Sequence, residues 1–402
     1  MIESKIRSLL FLRKIKPFVS KLFFYLFCFR KIKKNKIVFS NFLGEQYGCN
    51  PKYITEELLR QNLDCEIVWL VKKKYLTSNE FPKKVRLSDF GNTVNALKEL
   101  STAKLWIDNQ RKVNFINLGL RKRKGQFYIN TWHGSLGIKR LDFDVPQFNN
   151  TGNQNWLNNC FYDSSICDFA ISNSAFETEV YKNGLHYMNV KEFGHPRNDI
   201  LFNIEKISEI KNKIANMYNF ASDKKIVLYA PSFRDSGRLD WLDIDLALLR
   251  QSLSEKFGED FIVLAKLHPR LIQFSQSFFA EKIDVYDVTQ YPDMQELMLV
   301  SDIMVSDYSS CMFDFMLTKK PVFVYANDIK RYNNERGFYY PMEETPFLIA
   351  TTNGELRNNI LEFDLEKYIE KLESFIADKK CIEDGNASIR VVELVKSIIG
   401  WR

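Results

Sequence analysis

Several polar segments in this chain place hydroxyl and backbone N–H groups directly after predicted strands. Residues 302–328, DIMVSDYSSCMFDFMLTKKPVFVYAND, predict a buried strand, a tight turn, a helix and another strand. The turn contains Asp307, Tyr308, Ser309 and Ser310, and Ser306 or Asp307 can cap the helix. Free N–H groups at the positive end of a helix bind phosphate readily. The same pattern also fits an ordinary serine-rich helix cap, so residues elsewhere in the chain must decide between the two interpretations.

Two histidines follow predicted strands in the two halves of the chain. His133 lies in the segment TWHGSLGIK, and His268 lies in the segment KLHPR. An imidazole with a pKa near neutrality can remove the proton of a hydroxyl group, although either residue alone also fits a half-buried turn histidine. Two sheets that face each other across a cleft would bring the two imidazoles together, and we therefore predict catalytic roles for both. Gly134, Ser135 and Lys139, which follow His133, are predicted to line the acceptor side of the cleft.

Four arginines lie in or beside these strand-end segments, and a guanidinium group offers a fork of N–H donors to a phosphate or a carboxylate. Arg234 in LYAPSFRDS, with the neighbouring Ser232, is predicted to bind phosphate, and a surface ion pair with Asp235 is the alternative. Arg197 in GHPRND is predicted to reach the rim between the domains, where the segment could equally be a structural hinge. Two more are assigned to the cleft on the same grounds: Arg270 beside the donor, and Arg336, which can instead pair with Glu335, beside the acceptor.

Short apolar runs that end in polar residues alternate with amphipathic stretches along most of the chain. Examples are EIVWLV and FAISNS in the first half and KIVLYA and FIVLAK in the second half. This alternation predicts an α/β fold with two doubly wound, Rossmann-like domains that face each other across a cleft. We place the amino-terminal acceptor domain at residues 36–210 and the carboxy-terminal donor domain at residues 211–402, whose last helix can pack back on the first domain. Ligands of such sheets bind beyond the carboxyl ends of the strands, where each polar segment lies.

The positive charge of the chain is concentrated at its amino terminus. The 402 residues carry a net charge of +7, yet residues 1–36 hold eleven Lys and Arg against one acid, Glu3, so the remainder is close to neutral. The arm, residues 1–35, mixes its basic residues with Leu, Phe and Tyr, and its longest uncharged run, LFFYLFCF, is too short to span a bilayer. We therefore predict that the arm lies on the anionic surface of a membrane, although it could instead dock on the protein's own core.

The spacing of cysteines and histidines is not that of a metal site. The seven cysteines, at positions 28, 49, 65, 160, 167, 311 and 381, have no CxxC spacing, and the four histidines have no spacing typical of metal ligands. We predict reduced thiols, no structural zinc, no cofactor and no metal that is essential to the reaction. Nucleic acid is not an expected partner, because the basic arm is too apolar to follow a phosphate backbone.

Eight segments in a fixed order carry a resemblance to a known family: NPKY, TWHGSLGIK, ISNSAFE, GHPRND, LYAPSFRD, KLHPR, SDIMVSDYSSCMFDF and ERGFYY. Over residues 36–345 the chain resembles the CDP-glycerol glycerophosphotransferase family, which includes teichoic acid primases and polymerases and capsule-polymer relatives. The resemblance implies a two-domain fold of the glycosyltransferase-B type, attached peripherally to the cytoplasmic face of the bacterial cell membrane. It also implies transfer of glycerol phosphate, or of a related polyol phosphate, from a CDP-linked donor to a hydroxyl of a lipid-linked or glycan acceptor.

The resemblance also assigns roles to individual residues. His133 matches a candidate base, and His268 matches a histidine at the donor phosphates. The other matches are donor-binding residues: Ser309 and Ser310 in the turn, Asp314 at the acidic position after it, and Arg234. Asp307 and Tyr308 of the same turn are assigned to the donor as well. We expect His133 to take the proton of the acceptor hydroxyl while its oxygen attacks the β-phosphorus, and CMP to leave. The chain departs from the family pattern at Ser135, where threonine is usual, and at His195, where tyrosine is usual.

Two other functions stay open on the sequence alone. Within enzymes, the alternative is a glycosyltransferase that uses a nucleotide sugar. From another class, the alternative is a catalytically silent, membrane-associated scaffold that keeps the fold. The polyol (glycerol or ribitol), the acceptor, the distinction between primase and polymerase, and self-association also stay open at this stage.

Overall fold

The computed structural model describes residues 16–145, 153–234, 241–279 and 282–401, and its first half contains a seven-stranded parallel sheet. The strands are β1 (Lys33–Ser40), β2 (Glu66–Val71), β3 (Arg86–Asp89), β4 (Ala103–Asp108), β5 (Phe127–Asn130), β6 (Phe169–Ser172) and β7 (Val190–Glu192). They lie in the order β3-β2-β1-β4-β5-β6-β7. The helices are α1, described over residues 16–28, then α2 (Cys49–Arg60), α3 (Thr93–Thr102), α4 (Val113–Asn117), α5 (Gln154–Ile166) and α6 (Ala175–Gly184).

The second half contains a six-stranded parallel sheet. The strands are β8 (Lys225–Tyr229), β9 (Phe261–Ala265), β10 (Val285–Asp287), β11 (Ile303–Ser306), β12 (Val322–Tyr325) and β13 (Leu348–Ala350), in the order β10-β9-β8-β11-β12-β13. The helices are α7 (Ile207–Tyr218), α8 (Leu246–Phe257), α9 (Ile272–Phe279), α10 (Met294–Val300), α11 (Cys311–Phe315), α12 (Ile329–Arg336), α13 (Asn353–Leu361), α14 (Leu365–Asp378) and α15 (Ala387–Ile399). The predicted fold class, two Rossmann-like α/β domains, is confirmed.

Both faces of each sheet are covered by helices, which explains why the central strands read as continuous apolar runs. In β1, Ile37 and Phe39 belong to one apolar cluster and Val38 belongs to the cluster on the opposite face. All three side chains have no exposed surface. Three short edge strands were not predicted from the sequence: β3, β7 and β13. RLSD and VKE are too polar, and LIA is too short, to produce a distinct pattern.

The last helix, α15, returns to the first sheet, an arrangement that the sequence left open. Its buried valines share an apolar cluster with Ile37 of β1: Val391, Val392 and Val395. The Asp199 carboxylate accepts hydrogen bonds from the first two N–H groups of α15, at 2.9 and 2.7 Å. A carboxylate at this position satisfies N–H groups that have no partner within the helix. The predicted boundary after residue 210 falls inside α7, whose Ile210 and Ile214 belong to the core of the second sheet.

The described part of the arm, α1, both docks on the first domain and exposes an apolar surface. Phe24 is 1% exposed and joins the core of the first sheet. A Cβ atom at Gly119, whose φ is +98°, would lie 2.8 Å from the Cα of Lys21, so α1 can pass this close only over a glycine. Large apolar side chains remain on its outer surface: Phe18, Val19, Leu22, Phe23, Tyr25 and Leu26. No helix in the described ranges is sufficiently long and apolar to cross a membrane, and residues 1–15 of the predicted arm lie outside them.

Candidate functional site

Residues 131–139, named here the crossing loop, leave β5 in the first domain and pass to the second domain. Leu136 and Ile138 have no exposed surface and belong to the apolar core of the second sheet. The Ile138 carbonyl accepts a hydrogen bond from the N–H of Tyr339 (2.7 Å), and the N–H of Arg140 donates to the carbonyl of Gly337 (3.1 Å). Because one end of the crossing loop follows β5 and the other is bound to the second domain, the loop fixes side chains of the first domain against the second.

His133 in the crossing loop is held as a neutral imidazole. Its Nδ1–H donates to the carbonyl oxygen of Asn109 (2.7 Å), and because a carbonyl only accepts, the lone pair is on Nε2. The ring packs against Phe42 and Trp132, with centroids 5.2 and 4.7 Å apart. Burial lowers the pKa of His133 from 6.5 to about 4, and the nearby Arg197 guanidinium contributes in the same direction. This pKa lies below the near-neutral value expected from the sequence, because the ring is buried, and His133 is therefore unprotonated at neutral pH.

His133 lines a pocket of about 220 Å³ between the two domains, named here the His133 pocket. The first domain also contributes Gly134, Ser135 and Lys139, and the second domain contributes Tyr308 and Ser310. The remaining lining residues are Trp132, Gly137, Leu141, Asp142, Phe176, Glu177, Val180 and Tyr181. A Cβ atom at Gly137 would lie 3.5 Å from the Cβ of Ser310, an ordinary contact distance, so the crossing loop passes directly beside this serine.

The turn between β11 and α11 forms the second domain's side of the pocket. Asp307 accepts from the N–H of Ser232 (2.8 Å), and Ser306 donates to a carbonyl that follows β8 (2.7 Å). Neither side chain caps α11, contrary to the expectation from the sequence, because both are used to join β11 to the end of β8. The Ser309 hydroxyl instead accepts from the first N–H of α11, at 3.4 Å. Ser309 and Ser310 are half-buried, and Ser310 faces the crossing loop.

Arg234 does not present an open fork of donors, which corrects the expectation that it offers them to phosphate. Its Nε and Nη2 donate to the Asp328 carboxylate (2.9 and 3.0 Å), and its Nη1 donates to Asp307 (2.8 Å) and to the Ser232 carbonyl (2.9 Å). The Tyr308 hydroxyl donates to the same Asp328 carboxylate at 2.8 Å, and Tyr308 has no exposed surface. Arg234, Asp307 and Tyr308 thus form a buried support beneath the serine turn. Asp235, the alternative partner of Arg234, lies outside the described residues.

Arg197 and Asp314 form a buried ion pair between the domains. Arg197 Nε donates to Asp314 Oδ2 (3.0 Å) and Nη2 donates to Oδ1 (3.2 Å), and both side chains are at most 5% exposed. The Asn198 and Gln295 side-chain amides also donate to Asp314, at 2.8 and 3.3 Å. Arg197 Nη2 additionally donates to the carbonyl of Gly134 in the crossing loop (2.6 Å). Arg197 and Asp314 thus hold the crossing loop in position, whereas Arg197 Nη1 is buried without a hydrogen-bond partner among the described residues. The predicted contacts of Asp314 with the donor and of Arg197 with the acceptor stay predictions.

Lys139 and Ser135 occupy different environments in the His133 pocket. Lys139 Nζ donates to the Ser232 hydroxyl (3.3 Å) and lies 5.6 Å from the centroid of the Tyr332 ring, so it bridges the cleft. It is the one cation among the described lining residues. Ser135 is 1% exposed, and its hydroxyl accepts from the Asn173 amide (2.8 Å), so its main contact is structural.

His268 and Arg270 lie outside the lining of the His133 pocket. His268 is exposed, its Nδ1 accepts from the N–H of Arg270 (3.2 Å), and its ring centroid lies 5.3 Å from that of Phe233. The Arg270 guanidinium lies 5.2 Å from the same Phe233 ring. The sheet order explains the separation, since β8 lies between β9, which leads to His268, and β11, which leads to the serine turn. Both loops nevertheless leave the same edge of the sheet.

The remaining predictions from the sequence concern Arg336, His195 and the cysteines. The backbone of Arg336 ends α12, and its side chain lies outside the described residues. His195, at a position that departs from the family pattern, is fully buried with its Nε2 2.9 Å from Glu177 Oε2. All seven cysteines are free thiols, and the described residues contain no group of three or more His, Cys, Asp or Glu side chains placed to hold a metal ion.

Asn109 and Phe176 are two of the contributors to the site that were not predicted from the sequence. Asn109 fixes the tautomer of His133, and it follows β4 directly, so the strand-end rule that selected His133 could have selected it as well. Phe176 lines the His133 pocket from α6, and its position in a helix gives no comparable signal because an aromatic residue there normally belongs to the core.

Comparison with known proteins assigns this arrangement to a family. A family model described as CDP-glycerol:poly(glycerophosphate) glycerophosphotransferase matches residues 22–397. A teichoic acid poly(glycerol phosphate) polymerase of Staphylococcus epidermidis is 32% identical over 381 residues, which are 90% of this chain but 51% of that protein. The chain thus spans about half the length of this relative.

Two further similarities extend over nearly the whole length of both partners. A teichoic acid glycerol-phosphate transferase of Staphylococcus aureus is 31% identical over 380 residues, which are 90% of this chain and 93% of that protein. The solved structure of the wall teichoic acid polymerase TagF superposes with a TM-score of 0.81 at 29% identity, covering 100% of this chain and 98% of that chain. The two-domain fold is therefore shared with this polymerase over nearly the whole of both chains.

The buried ion pair makes a prediction about stability. Replacing Arg197 with methionine leaves the Asp314 carboxylate buried without its cation, and we expect the free energy of unfolding to fall by about 3–5 kcal/mol. Urea unfolding followed by tryptophan fluorescence measures the change. The control, Lys182→Met, removes an exposed ion pair with Glu179 (2.7 Å) and should change stability by less than about 1 kcal/mol. Equal stabilities of the two variants would contradict a structural role for the Arg197–Asp314 pair.

Proposed function

The chain belongs to the CDP-glycerol:poly(glycerophosphate) glycerophosphotransferase family, and from this we propose that it transfers a polyol phosphate from a CDP-linked donor. The preferred donor is CDP-glycerol, the acceptor is a hydroxyl of a lipid-linked or glycan molecule, and CMP is released. One of the TagF structures comes from crystals soaked with CDPG, which supports this choice of donor. The product would belong to teichoic acid or to a capsule-type polymer, as the names of the relatives suggest.

The observation that carries the proposal is the neutral His133 in a pocket that the serine turn closes from the other domain. In the proposed reaction, Nε2 of His133 takes the proton of the acceptor hydroxyl as its oxygen bonds to the β-phosphorus. The bond from this phosphorus to the bridging oxygen breaks, and CMP leaves with the electron pair. A base of this kind contributes about 10²–10⁴-fold to the rate. A pKa of about 4 keeps the base unprotonated at neutral pH.

Positive and hydrogen-bonding groups around the pocket would position the donor. Lys139 Nζ already contacts the second domain at Ser232 (3.3 Å), so it can pair with the transferred phosphate without a large movement. The half-buried hydroxyls of Ser309 and Ser310 supply further donors from the turn. His268 and Arg270, on a neighbouring loop at the same sheet edge, would contact the nucleotide side of the diphosphate. Phosphoryl transfer depends mainly on such positioning and charge stabilisation.

The exposed face of α1 supports attachment to the cytoplasmic surface of a bacterial membrane. Phe18, Leu22 and Leu26, spaced by four residues, are 74%, 55% and 52% exposed and share one side of the helix. The basic residues of the arm, including Arg30 and Lys31 directly after α1, would meet anionic lipid headgroups. Such attachment would hold the His133 pocket close to an acceptor whose lipid anchor stays in the bilayer.

Removal of the proposed base tests the function. His133→Ala should lower CMP release in the presence of CDP-glycerol and a lipid-linked acceptor by at least about 100-fold. Calorimetric binding of CDP-glycerol should be retained, because the turn and Lys139 are intact. The control, His186→Ala, removes a histidine that stacks on Phe143 outside the pocket (centroids 4.3 Å apart) and should keep wild-type activity.

His268→Ala should also lower the transfer rate, since this residue is proposed at the donor phosphates. Near wild-type transfer by both the His133 and the His268 variants would exclude the assignment.

Preference for a UDP-sugar over CDP-glycerol in a competition assay would support a glycosyltransferase instead, and absence of any donor binding would support a silent scaffold.

Full activity in the presence of EDTA is expected if no metal is essential.

The membrane contact makes a separate prediction. Serine at positions 18, 22 and 26 should weaken binding of the full-length protein to vesicles that contain phosphatidylglycerol by at least about tenfold, because three large apolar side chains lose their contact with lipid. Co-sedimentation measures the partition. The control carries serine at Met188 and Ile283, which are 84% and 80% exposed but lie outside the arm. Equal binding of the two variants would contradict attachment through α1.

A further inference from the structure

A second groove, of about 430 Å³, lies next to the His133 pocket and is not used by the proposed reaction. The two share Phe176 and Val180 of α6, so a molecule in the groove can reach the pocket without leaving the protein surface. The groove is lined by Asp144, Ala175, Phe176, Glu179, Val180, Asn183, Tyr339, Asp378, Lys379 and Lys380. It is formed by α6 of the first domain together with the end of α14 and Tyr339 of the second domain.

The wall of the groove is aromatic and is held in place by contacts between the domains. The rings of Phe176 and Tyr339 meet edge to face, with centroids 6.2 Å apart. Lys379 Nζ lies 5.2 Å from the centroid of the Phe176 ring and 4.6 Å from that of Tyr340, and its side chain is 12% exposed. The Phe176 N–H donates to the Lys379 carbonyl at 3.4 Å. The aromatic surface is therefore formed before any ligand binds.

Hydrogen-bonding oxygens surround this aromatic wall. The Tyr339 hydroxyl donates to Asp144 Oδ2 (2.6 Å), which leaves the other carboxylate oxygen of Asp144 for a ligand. Glu179 and Asn183, one helical turn apart on α6, are exposed at the rim. A Cβ atom at Gly184 would lie 2.8 Å from Asp144 Oδ2 and 2.9 Å from the Tyr339 hydroxyl, so a larger residue would displace these two groups.

The charges of the groove argue against a chain of phosphates. Three carboxylates, those of Asp144, Glu179 and Asp378, face two lysines, Lys379 and Lys380. The Lys379 ammonium is already 2.9 Å from Asp378 Oδ2 and lies over aromatic rings, so it is not presented to an anion. Carboxylates and amides beside an aromatic face suit a ligand with apolar C–H faces and many hydroxyl donors.

We propose that this groove binds the sugar residues of the acceptor, behind the hydroxyl that receives the phosphate. A sugar ring would stack on Phe176 and Tyr339 and donate its hydroxyls to Asp144, Glu179 and Asn183. The terminal hydroxyl of the same molecule would then extend past Phe176 and Val180 to Nε2 of His133. The proposal rests on the proposed function for the direction of the acceptor, whereas sugar binding in the groove is independent of catalysis.

The test blocks the groove with one side chain. Asn183→Trp places an indole at the rim, and Asn158→Trp, at an exposed position of α5 outside the lining, is the matched control. Saturation-transfer NMR of the full-length protein with N,N′-diacetylchitobiose and with maltose reports contact with sugars, and glycerol 3-phosphate serves as the sugar-free probe. We expect sugar signals with the wild type and with Asn158→Trp, and their loss with Asn183→Trp.

Three results would overturn the proposal: no sugar signal with the wild type, sugar signals that persist in Asn183→Trp, or displacement of the sugar by glycerol 3-phosphate. In the transfer assay, Asn183→Trp should raise the KM for a lipid-linked acceptor by about tenfold and leave the KM for CDP-glycerol unchanged. An unchanged acceptor KM in an active enzyme would also overturn it. If the proposed function is wrong, the wild-type protein will release no CMP in the transfer assay. In that case the NMR experiment alone still shows whether the groove binds sugars.

Discussion

The apolar anchors of the crossing loop, Leu136 and Ile138, are buried in the core of a domain other than the one that carries the preceding strand. Exposing them would cost several kcal/mol of apolar burial, so the loop stays bound to the second domain. Arg197 holds the Gly134 carbonyl from one side, and the Asn109 carbonyl holds the His133 ring from another. The position of the base therefore depends on packing between the domains, and the pocket exists only while the two sheets are in contact.

This constraint gives the two domains distinct tasks. The first domain supplies a neutral imidazole and the aromatic helix α6, whereas the second supplies a hydroxyl-rich turn that packs on Arg234 and its two carboxylate partners. The pKa of His133, lowered by burial, is a consequence of the same packing. An apolar helix on the outside of the first domain and an aromatic groove between the domains are consistent with an acceptor that carries both a lipid and sugars.

Much of the fold and part of the site follow from the sequence. The strands could be predicted because central parallel strands are buried on both faces and read as apolar runs, and strand-end polar residues identified His133 and Ser310. The roles of Arg234, Arg197 and Asp314 could not be predicted, because their partners are distant in sequence. Arg234 pairs with carboxylates 73 and 94 positions away, and Arg197 with one 117 positions away. Likewise, only the strand order reveals that β8 separates His268 from the serine turn.

The protonation state of His133 tests the account most directly. With only four histidines in the chain, ¹⁵N NMR of histidine-labelled protein can resolve each imidazole, and comparison with the His133→Ala variant assigns the signal. The account predicts that His133 keeps Nδ1 protonated and Nε2 unprotonated from pH 8 to pH 5.5, since its pKa lies near 4 and protons bind only below that range. A midpoint near the ordinary value of about 6.5, or a proton on Nε2 at neutral pH, would contradict it.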